Sequence, residues 1–168
     1  CTQERIAPEF GGALMIRAEA LEGCGSWATD TIACEEAELH ARLNDAGCRI
    51  AEIPVPMIVH TDTLREGRGV LGVLFSRRRL GEGQAFRCAA AKGKAKAYML
   101  HEKKKFLFYA LDILCLLLVL LLHGAGWAVC LLIQSMQLGF LIARGRGRAF
   151  VSQKLFFFAF PLGLCTYR

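Results

Sequence analysis

The chain has 168 residues, of which 54% are hydrophobic and 21% are charged, and its formal net charge is +6. A hydrophobic fraction this high is unusual for a wholly soluble domain. The eight cysteines include no Cys-x-x-Cys pair, which argues against a zinc site or a disulfide framework and favours reduced thiols. The basic residues flank apolar segments without an aromatic platform, so we expect them to face membrane lipids and not nucleic acid.

The composition divides the chain into three regions. Residues 1–63 mix charged and apolar residues as a globular domain does, residues 64–105 are basic and amphipathic, and residues 106–168 are mostly apolar. The middle region predicts a helix at the membrane interface, with an ordinary surface helix of the globular domain as the alternative. Because the chain starts in mid-pattern at Cys1, we expect a longer protein whose N-terminal portion lies upstream.

The first predicted elements are a strand, a helical turn and a loop. Residues 10–16 are predicted to form the strand, which the chain enters through Gly11 and Gly12. Glycines at this point let the backbone approach a neighbouring group closely. The loop contains Trp27, whose ring either stacks on a ligand or packs in the core.

An acidic helix is predicted at residues 35–46. Glu35 and Glu36 lie in its first turn, where the positive end of the helix dipole stabilises carboxylates. Leu39 and Leu43 lie four residues apart and share one face, as in an amphipathic helix. Most acidic first turns are solvated helix starts, and a base aimed into a cleft is the alternative.

Two short strands are predicted after this helix. Residues 49–53 alternate between polar and apolar, and residues 57–59 are apolar and end at His60. Pro54 and Pro56 lie between the two strands. Because proline cannot donate to a strand ladder, we expect this segment at a sheet edge.

Residues 10–60 carry an ordered set of motifs. They are a Gly-Gly pair before a strand, then Arg-Ala-Glu-Ala-Leu, an acidic pair that opens an Arg-Leu helix, Ala-Gly-Cys-Arg-Ile, and an apolar strand that ends in His. Taken in order, they resemble the second half of a family 2 glycosyltransferase domain. The resemblance implies an α/β fold, a partial GT-A-like nucleotide-sugar transferase domain over residues 1–63, followed by transmembrane helices.

The resemblance also implies site residues. Glu36, the second member of the acidic pair, is the implied catalytic base, with Glu35 beside it. The family usually has Glu-Asp here, and the extra methylene of Glu36 moves the carboxylate outward. His60 is the implied metal ligand, with a structural role as the alternative. The implied substrate-binding residues are Gly11, Gly12, Trp27, Arg78 and Arg79.

The implied reaction also needs groups that bind the donor diphosphate and a divalent cation. Arginine binds a diphosphate in a bidentate manner, and lipid headgroups are the alternative partners of Arg78 and Arg79. A divalent cation, Mn²⁺ or Mg²⁺, needs several carboxylate and phosphate oxygens. Because the chain has no Asp-x-Asp motif, we expect the upstream half to hold most of the metal ligands.

The resemblance therefore implies a membrane-associated inverting glycosyltransferase. It would move a sugar from a nucleotide-sugar donor to a hydroxyl of a glycan or lipid-linked acceptor, and this fragment alone would be inactive. The alternative is a non-enzymatic membrane protein with a cytosolic binding or assembly module.

The apolar region predicts membrane spans at residues 106–122 and 127–143, joined by a tight turn. Residues 150–164 are a third span, a re-entrant segment or an interfacial helix. Basic residues lie at both outer flanks and none in the turn, so the chain is expected to be a multi-pass protein of the cell membrane whose globular part is cytoplasmic. Asp112, inside the first span, is expected to be protonated or paired with another helix.

Overall fold

The computed structural model describes residues 5–7, 9–10, 13–53, 77–145 and 147–166. Helices account for 74% of the described residues. The helices are α1 (Ala18–Gly23), α2 (Glu35–Asp45), a 3₁₀ helix (Arg77–Leu80), α3 (Gly81–Ala91), α4 (Ala95–His101), α5 (Lys103–Ala143) and α6 (Gly147–Thr166). Two strands, β1 (Arg5–Ile6) and β2 (Ala51–Glu52), form one antiparallel pair.

The predicted α/β fold is wrong, because the described chain is mostly helical. Within the strand predicted at 10–16, the described residues are irregular, and the strand predicted at 49–53 shrinks to Ala51–Glu52. Both residues of β2 are exposed, so no apolar face is buried against a neighbouring sheet. A pair of such short strands has little stability of its own, and packing between helices decides the fold. The predicted strand at 57–59 lies outside the described residues.

The chain divides into two compact units, and the first comprises residues 1–101 together with 160–168. Its core forms where α2 packs against α3 and α4. Leu39 and Leu43, which the spacing placed on one face of α2, are 0% and 3% exposed. α3 contributes Ala85 and Ala89, and α4 contributes Tyr98 to the same core. Two helices of the basic region, α3 and α4, are therefore packed against α2 within this unit.

Left-handed backbone flanks α2 at both ends. Cys34, which precedes the first helical residue, has φ 67°, and Gly47, just after the helix, has φ 77°. Glycine adopts this conformation without steric cost, whereas a residue with a Cβ rarely does. The chain therefore turns sharply at Cys34, immediately before the acidic pair at the start of α2.

The second unit, residues 102–159, contains α5, in which the chain reverses direction. His123 has φ 47° and ψ −121°, which divides α5 into a first arm (103–122) and a second arm (124–143). Gln134 donates to Asp112 at 3.0 Å, although a straight helix would separate these residues by roughly 33 Å. A Cβ on Gly126 would overlap the backbone of residue 118. The two arms therefore form a helical hairpin with a very tight turn.

The hairpin has an apolar and exposed surface. Two helical segments, Lys103–Ala143 and Ala149–Thr166, are long and apolar enough to cross a membrane by length and composition. Only 11% of the most apolar window of the first segment is buried within the protein. Leu120 and Leu121, for example, are 62% and 74% exposed. Such exposure is typical of helices that contact lipid and not of a core helix in a soluble domain.

Candidate functional site

The acidic pair opens α2 at the surface of the first unit. Glu36 is exposed, whereas Glu35 is half-buried and has one buried carboxylate oxygen without a hydrogen-bond partner in the described chain. Both residues lie in the first turn, where backbone N–H groups and the helix dipole favour negative charge. Glu36 is therefore the member of the pair that a bound molecule reaches more easily.

The third acid of this turn, Glu38, has a structural role. Its side chain is fully buried, and Arg42 donates to its carboxylate from Nε at 2.6 Å and from Nη2 at 2.7 Å. Arg42 also donates to the carbonyl oxygen of Ser26 at 2.6 Å and to that of Cys24. This bidentate pair fixes α2 to the loop after α1. Sequence analysis missed the pair, although its i, i+4 spacing is a recognised helix signal.

The basic 3₁₀ helix Arg77–Leu80 leads directly into a close contact with the segment before α2. A Cβ on Gly81 would lie 2.6 Å from the carbonyl oxygen of Ala33, so only glycine permits this approach. The amide of Ile32 donates to Oε1 of Gln84 at 2.9 Å. Backbone packing and one hydrogen bond therefore hold the start of α3 against the residues that immediately precede the acidic pair.

Two predicted groups of opposite charge thus lie on segments that are in contact within the first unit. Arg78 is exposed and Arg79 is half-buried. Arg78 and Glu36 each lie three residues along the chain from the Ala33–Gly81 contact. A carboxylate and guanidinium groups so placed are the components that a proton acceptor and a phosphate-binding site require.

Of four other predicted site residues, one lies within the described part of the chain and three lie outside it. Trp27 is 37% exposed and follows Ser26, whose carbonyl oxygen accepts from Arg42. Gly11, Gly12 and His60 lie outside the described residues. Within the described part of the chain, no group of three or more His, Cys, Asp or Glu side chains could hold a metal ion.

A stack of the buried His40 and the half-buried His101, which sequence analysis also missed, joins α2 to α4. The ring centroids of His40 and His101 are 4.5 Å apart. Nε2 of His40 donates to the carbonyl oxygen of Ala7 at 3.2 Å, and the Asn44 amide donates to Nδ1 at 2.9 Å. Burial lowers the pKa of His40 below its usual value, so the ring is neutral at pH 7. The partners are distant in sequence, so no local pattern revealed the stack.

A cavity of about 360 Å³ opens beside α2, and its lining includes Arg42, Lys92 and Lys94. Each of these cations has an acidic neighbour. Arg42 is paired with Glu38, Lys94 lies 2.5 Å from Asp45, and Nζ of Lys92 lies 3.7 Å from Glu38. The cavity therefore offers little uncompensated positive charge, and its lining includes none of the predicted site residues.

A polar cluster lies inside the second unit. Asp112 is ion-paired with Lys154, and Gln134 donates to the same carboxylate oxygen at 3.0 Å. Lys154 also donates to Oε1 of Gln137 at 3.1 Å. Asp112 is thus paired with another helix, one of the two states expected for it. The cluster links both arms of the hairpin to residue 154 of α6.

A scan against models of known protein families found no match to this chain, and neither the curated proteins nor the solved structures gave a match.

Proposed function

We propose that the chain is the acceptor-side part of a membrane-associated inverting glycosyltransferase. Glu36 acts as the general base and takes the proton from the acceptor hydroxyl. The hydroxyl oxygen forms the new bond to the anomeric carbon as the bond to the nucleotide diphosphate breaks. The proposal does not include the α/β fold that the motifs implied, because the described part of the chain is mostly helical.

The observation that carries the proposal is the close contact between Ala33 and Gly81. These residues are far apart in sequence, yet Ala33 lies two residues before Glu35 and Gly81 lies two residues after Arg79. A base and a phosphate-binding group must act on the same sugar, so they have to lie near one another.

The roles of the two motifs follow from their chemistry. The exposed carboxylate of Glu36 accepts a proton. The half-buried carboxylate of Glu35 adds a second negative charge next to it. Arg78 and Arg79 stabilise the charge that develops on the leaving diphosphate, since a guanidinium group binds phosphate oxygens with two parallel hydrogen bonds. Trp27 offers a partly exposed ring on which a sugar stacks.

The donor-binding half and most metal ligands belong upstream of this chain in the proposal. A nucleotide diphosphate with Mn²⁺ or Mg²⁺ requires several carboxylate and phosphate oxygens. In the proposal, this part of the protein supplies the base, the arginines and the acceptor side, and Mn²⁺ or Mg²⁺ would supply further charge neutralisation when held by the upstream half.

The register of the hairpin supports a membrane topology. Asp112 lies nine residues from Lys103, and its partner Gln134 lies nine residues from Ala143. The outer ends of the two arms are therefore at the same level, about 14 Å from this contact.

Basic residues accumulate at that end of the hairpin. Lys103 and Lys104 are exposed at the start of the first arm, and Arg144, just after the second arm, lies over the ring of Phe140 at 4.3 Å. The turn at residues 123–126 contains no lysine or arginine. The preference of basic residues for the cytoplasmic side then puts the globular part in the cytoplasm of a multi-pass membrane protein. Nucleotide-sugar donors are available on that side.

The proposal is tested by Glu36→Gln in the full-length protein. The amide keeps the size of the side chain but cannot take the acceptor proton, and general-base catalysis contributes about 10²–10⁴-fold. We expect kcat to fall at least 100-fold and the donor Kd to stay within twofold. Turnover and donor affinity are measured by coupled nucleoside-diphosphate release and by calorimetry.

The matched control is Glu22→Gln, which neutralises another exposed glutamate of the first unit. We expect it to keep wild-type turnover. If Glu36→Gln retains more than a third of wild-type kcat, the base is another residue. If the wild-type full-length protein transfers no sugar from a broad donor panel, a non-enzymatic binding or assembly module is the better account.

A further inference from the structure

Gln84 connects two segments of the first unit that are far apart in sequence. Its side chain is 3% exposed. Oε1 accepts from the amide of Ile32 at 2.9 Å, and Nε2 donates to Oγ1 of Thr166 at 3.3 Å. Thr166 in turn donates to the carbonyl oxygen of Gly163 at 3.3 Å. One buried amide therefore joins the segment before the acidic pair to the last turn of α6.

The end of α6 is held closely against α3. A Cβ on Gly83 would overlap the backbone of residues 160 and 164, and a Cβ on Gly163 would overlap the carbonyl oxygen of residue 80. Arg87 donates to the carbonyl oxygen of Leu164. The two glycines remove the side chains that would keep the helices apart, so a one-atom increase in size at either position separates them.

The opposite contact of α3 is equally close. Gly81 packs on the backbone of Ala33, as described above, and Ile32 is bonded to Gln84. α3 therefore lies between the end of α6 and the segment that leads into the acidic pair. The side chain of Gln84 bonds to both, so a displacement of Thr166 changes the partner available to the amide that holds Ile32.

We propose that Gln84 is a positioning residue that couples the end of α6 to the acidic pair. When Thr166 is in place, both polar atoms of the Gln84 amide are bonded and its oxygen points at the Ile32 amide. When α6 withdraws, the Gln84 amide turns toward a new partner and the backbone at residues 32–34 loosens. Insofar as it concerns catalysis, this inference depends on the proposed role of Glu36. The last apolar helix thereby controls whether the base is in position.

The first experiment measures the coupling between Thr166 and Ile32 without any reference to activity. The 168-residue chain in detergent micelles is labelled with ¹⁵N-isoleucine, and exchange of the Ile32 amide is followed by NMR. In Thr166→Val the hydroxyl is lost but the shape is kept. We expect the Ile32 amide to exchange about fivefold faster, the factor expected for the loss of one ordinary hydrogen bond. Thr166→Ser retains the hydroxyl and should restore the wild-type rate.

Two further variants guard against a misleading result. Cys165→Ser changes the neighbouring exposed residue and should leave the Ile32 amide unaffected. Gln84→Leu removes the acceptor directly and should give an increase at least as large as Thr166→Val. An unchanged Ile32 rate in Thr166→Val, or equal rates in Thr166→Val and Thr166→Ser, overturns the coupling.

The second experiment distinguishes a failure of this inference from a failure of the proposed function. In the full-length protein, Thr166→Val should lower kcat several-fold, leave the donor KM within twofold, and be rescued by Thr166→Ser. Faster exchange at Ile32 with no sugar transfer by the wild type would support the coupling and overturn the proposed function. Faster exchange with unchanged kcat in an active enzyme would overturn the control of Glu36 by α6.

Discussion

The buried pair between Glu38 and Arg42 gives the sharpest prediction about stability. The two side chains are 0% and 2% exposed, and Arg42 additionally bonds two backbone carbonyl oxygens of the preceding loop. Arg42→Met keeps the length of the side chain but removes the charge and all of these donors. Glu38 is then left as a buried carboxylate with Nζ of Lys92 3.7 Å away as its remaining cationic neighbour.

The expected loss follows from the cost of an uncompensated buried charge. Removal of one partner from a buried ion pair destabilises a domain by about 3–5 kcal/mol. For a domain of this size, such a loss lowers Tm by at least about 12 °C. The double variant Glu38→Leu/Arg42→Met leaves no buried charge, so we expect it to be more stable than Arg42→Met by about 2 kcal/mol or more.

Fluorescence of Trp27 reports on this contact, because Trp27 follows Ser26, which Arg42 bonds directly. The chain has two tryptophans, so the assay uses a Trp127→Phe background in detergent micelles. Urea unfolding of the first unit is then followed without the signal of the apolar helices. Arg17→Met, at an exposed arginine, is the matched control and should change stability by less than about 0.5 kcal/mol. A loss below 1 kcal/mol in Arg42→Met, or strictly additive effects in the double variant, would refute this reasoning.

Three further predictions concern pH, the polar cluster and topology. Because burial lowers the pKa of His40, the unfolded state binds more protons, and the free energy of unfolding should decrease as the pH falls below about 6.5; His40→Gln should flatten this dependence in urea titrations at pH 5–8. Asp112→Asn should destabilise the hairpin in SDS titrations by leaving Lys154 charged and unpaired, and adding Lys154→Met should recover most of the loss. In a background without accessible cysteines, a cysteine at Gly124 should react with an impermeant thiol reagent outside intact cells, and one at Gly147 only after permeabilisation; the reverse pattern contradicts the topology.

Local patterns in the sequence were sufficient for two helical features, the acidic helix and the break between the two apolar segments. The helix predicted at residues 35–46 is observed as Glu35–Asp45, because its apolar spacing and its terminal Gly47 are local signals. The break at His123 coincides with the Gly-rich turn between the two apolar segments. Both features depend on residues within a few positions of one another, which is the range over which sequence patterns are informative.

The sheet and the tertiary contacts could not be inferred in this way. Alternation at residues 49–53 predicted a strand, but a strand is stable only when others lie beside it, and β2 has one two-residue partner. The contact between Ala33 and Gly81, and the bonds of Gln84 to Ile32 and Thr166, join distant segments. Ala33, Gly81, Gln84 and Thr166 are small or polar, Ile32 takes part through its backbone amide, and none of them carries a periodic signal. Charge motifs were visible in the sequence, but their proximity was not.

The central claim is tested most directly by the stereochemistry of the product. The full-length protein in nanodiscs is incubated with a nucleotide-sugar panel and acceptors, and the anomeric proton is followed by NMR. We expect a new glycoside whose anomeric configuration is inverted relative to the donor, formed by the wild type and not detectably by Glu36→Gln. A glycoside with retained configuration, or equal rates of formation by the wild type and Glu36→Gln, would contradict the account.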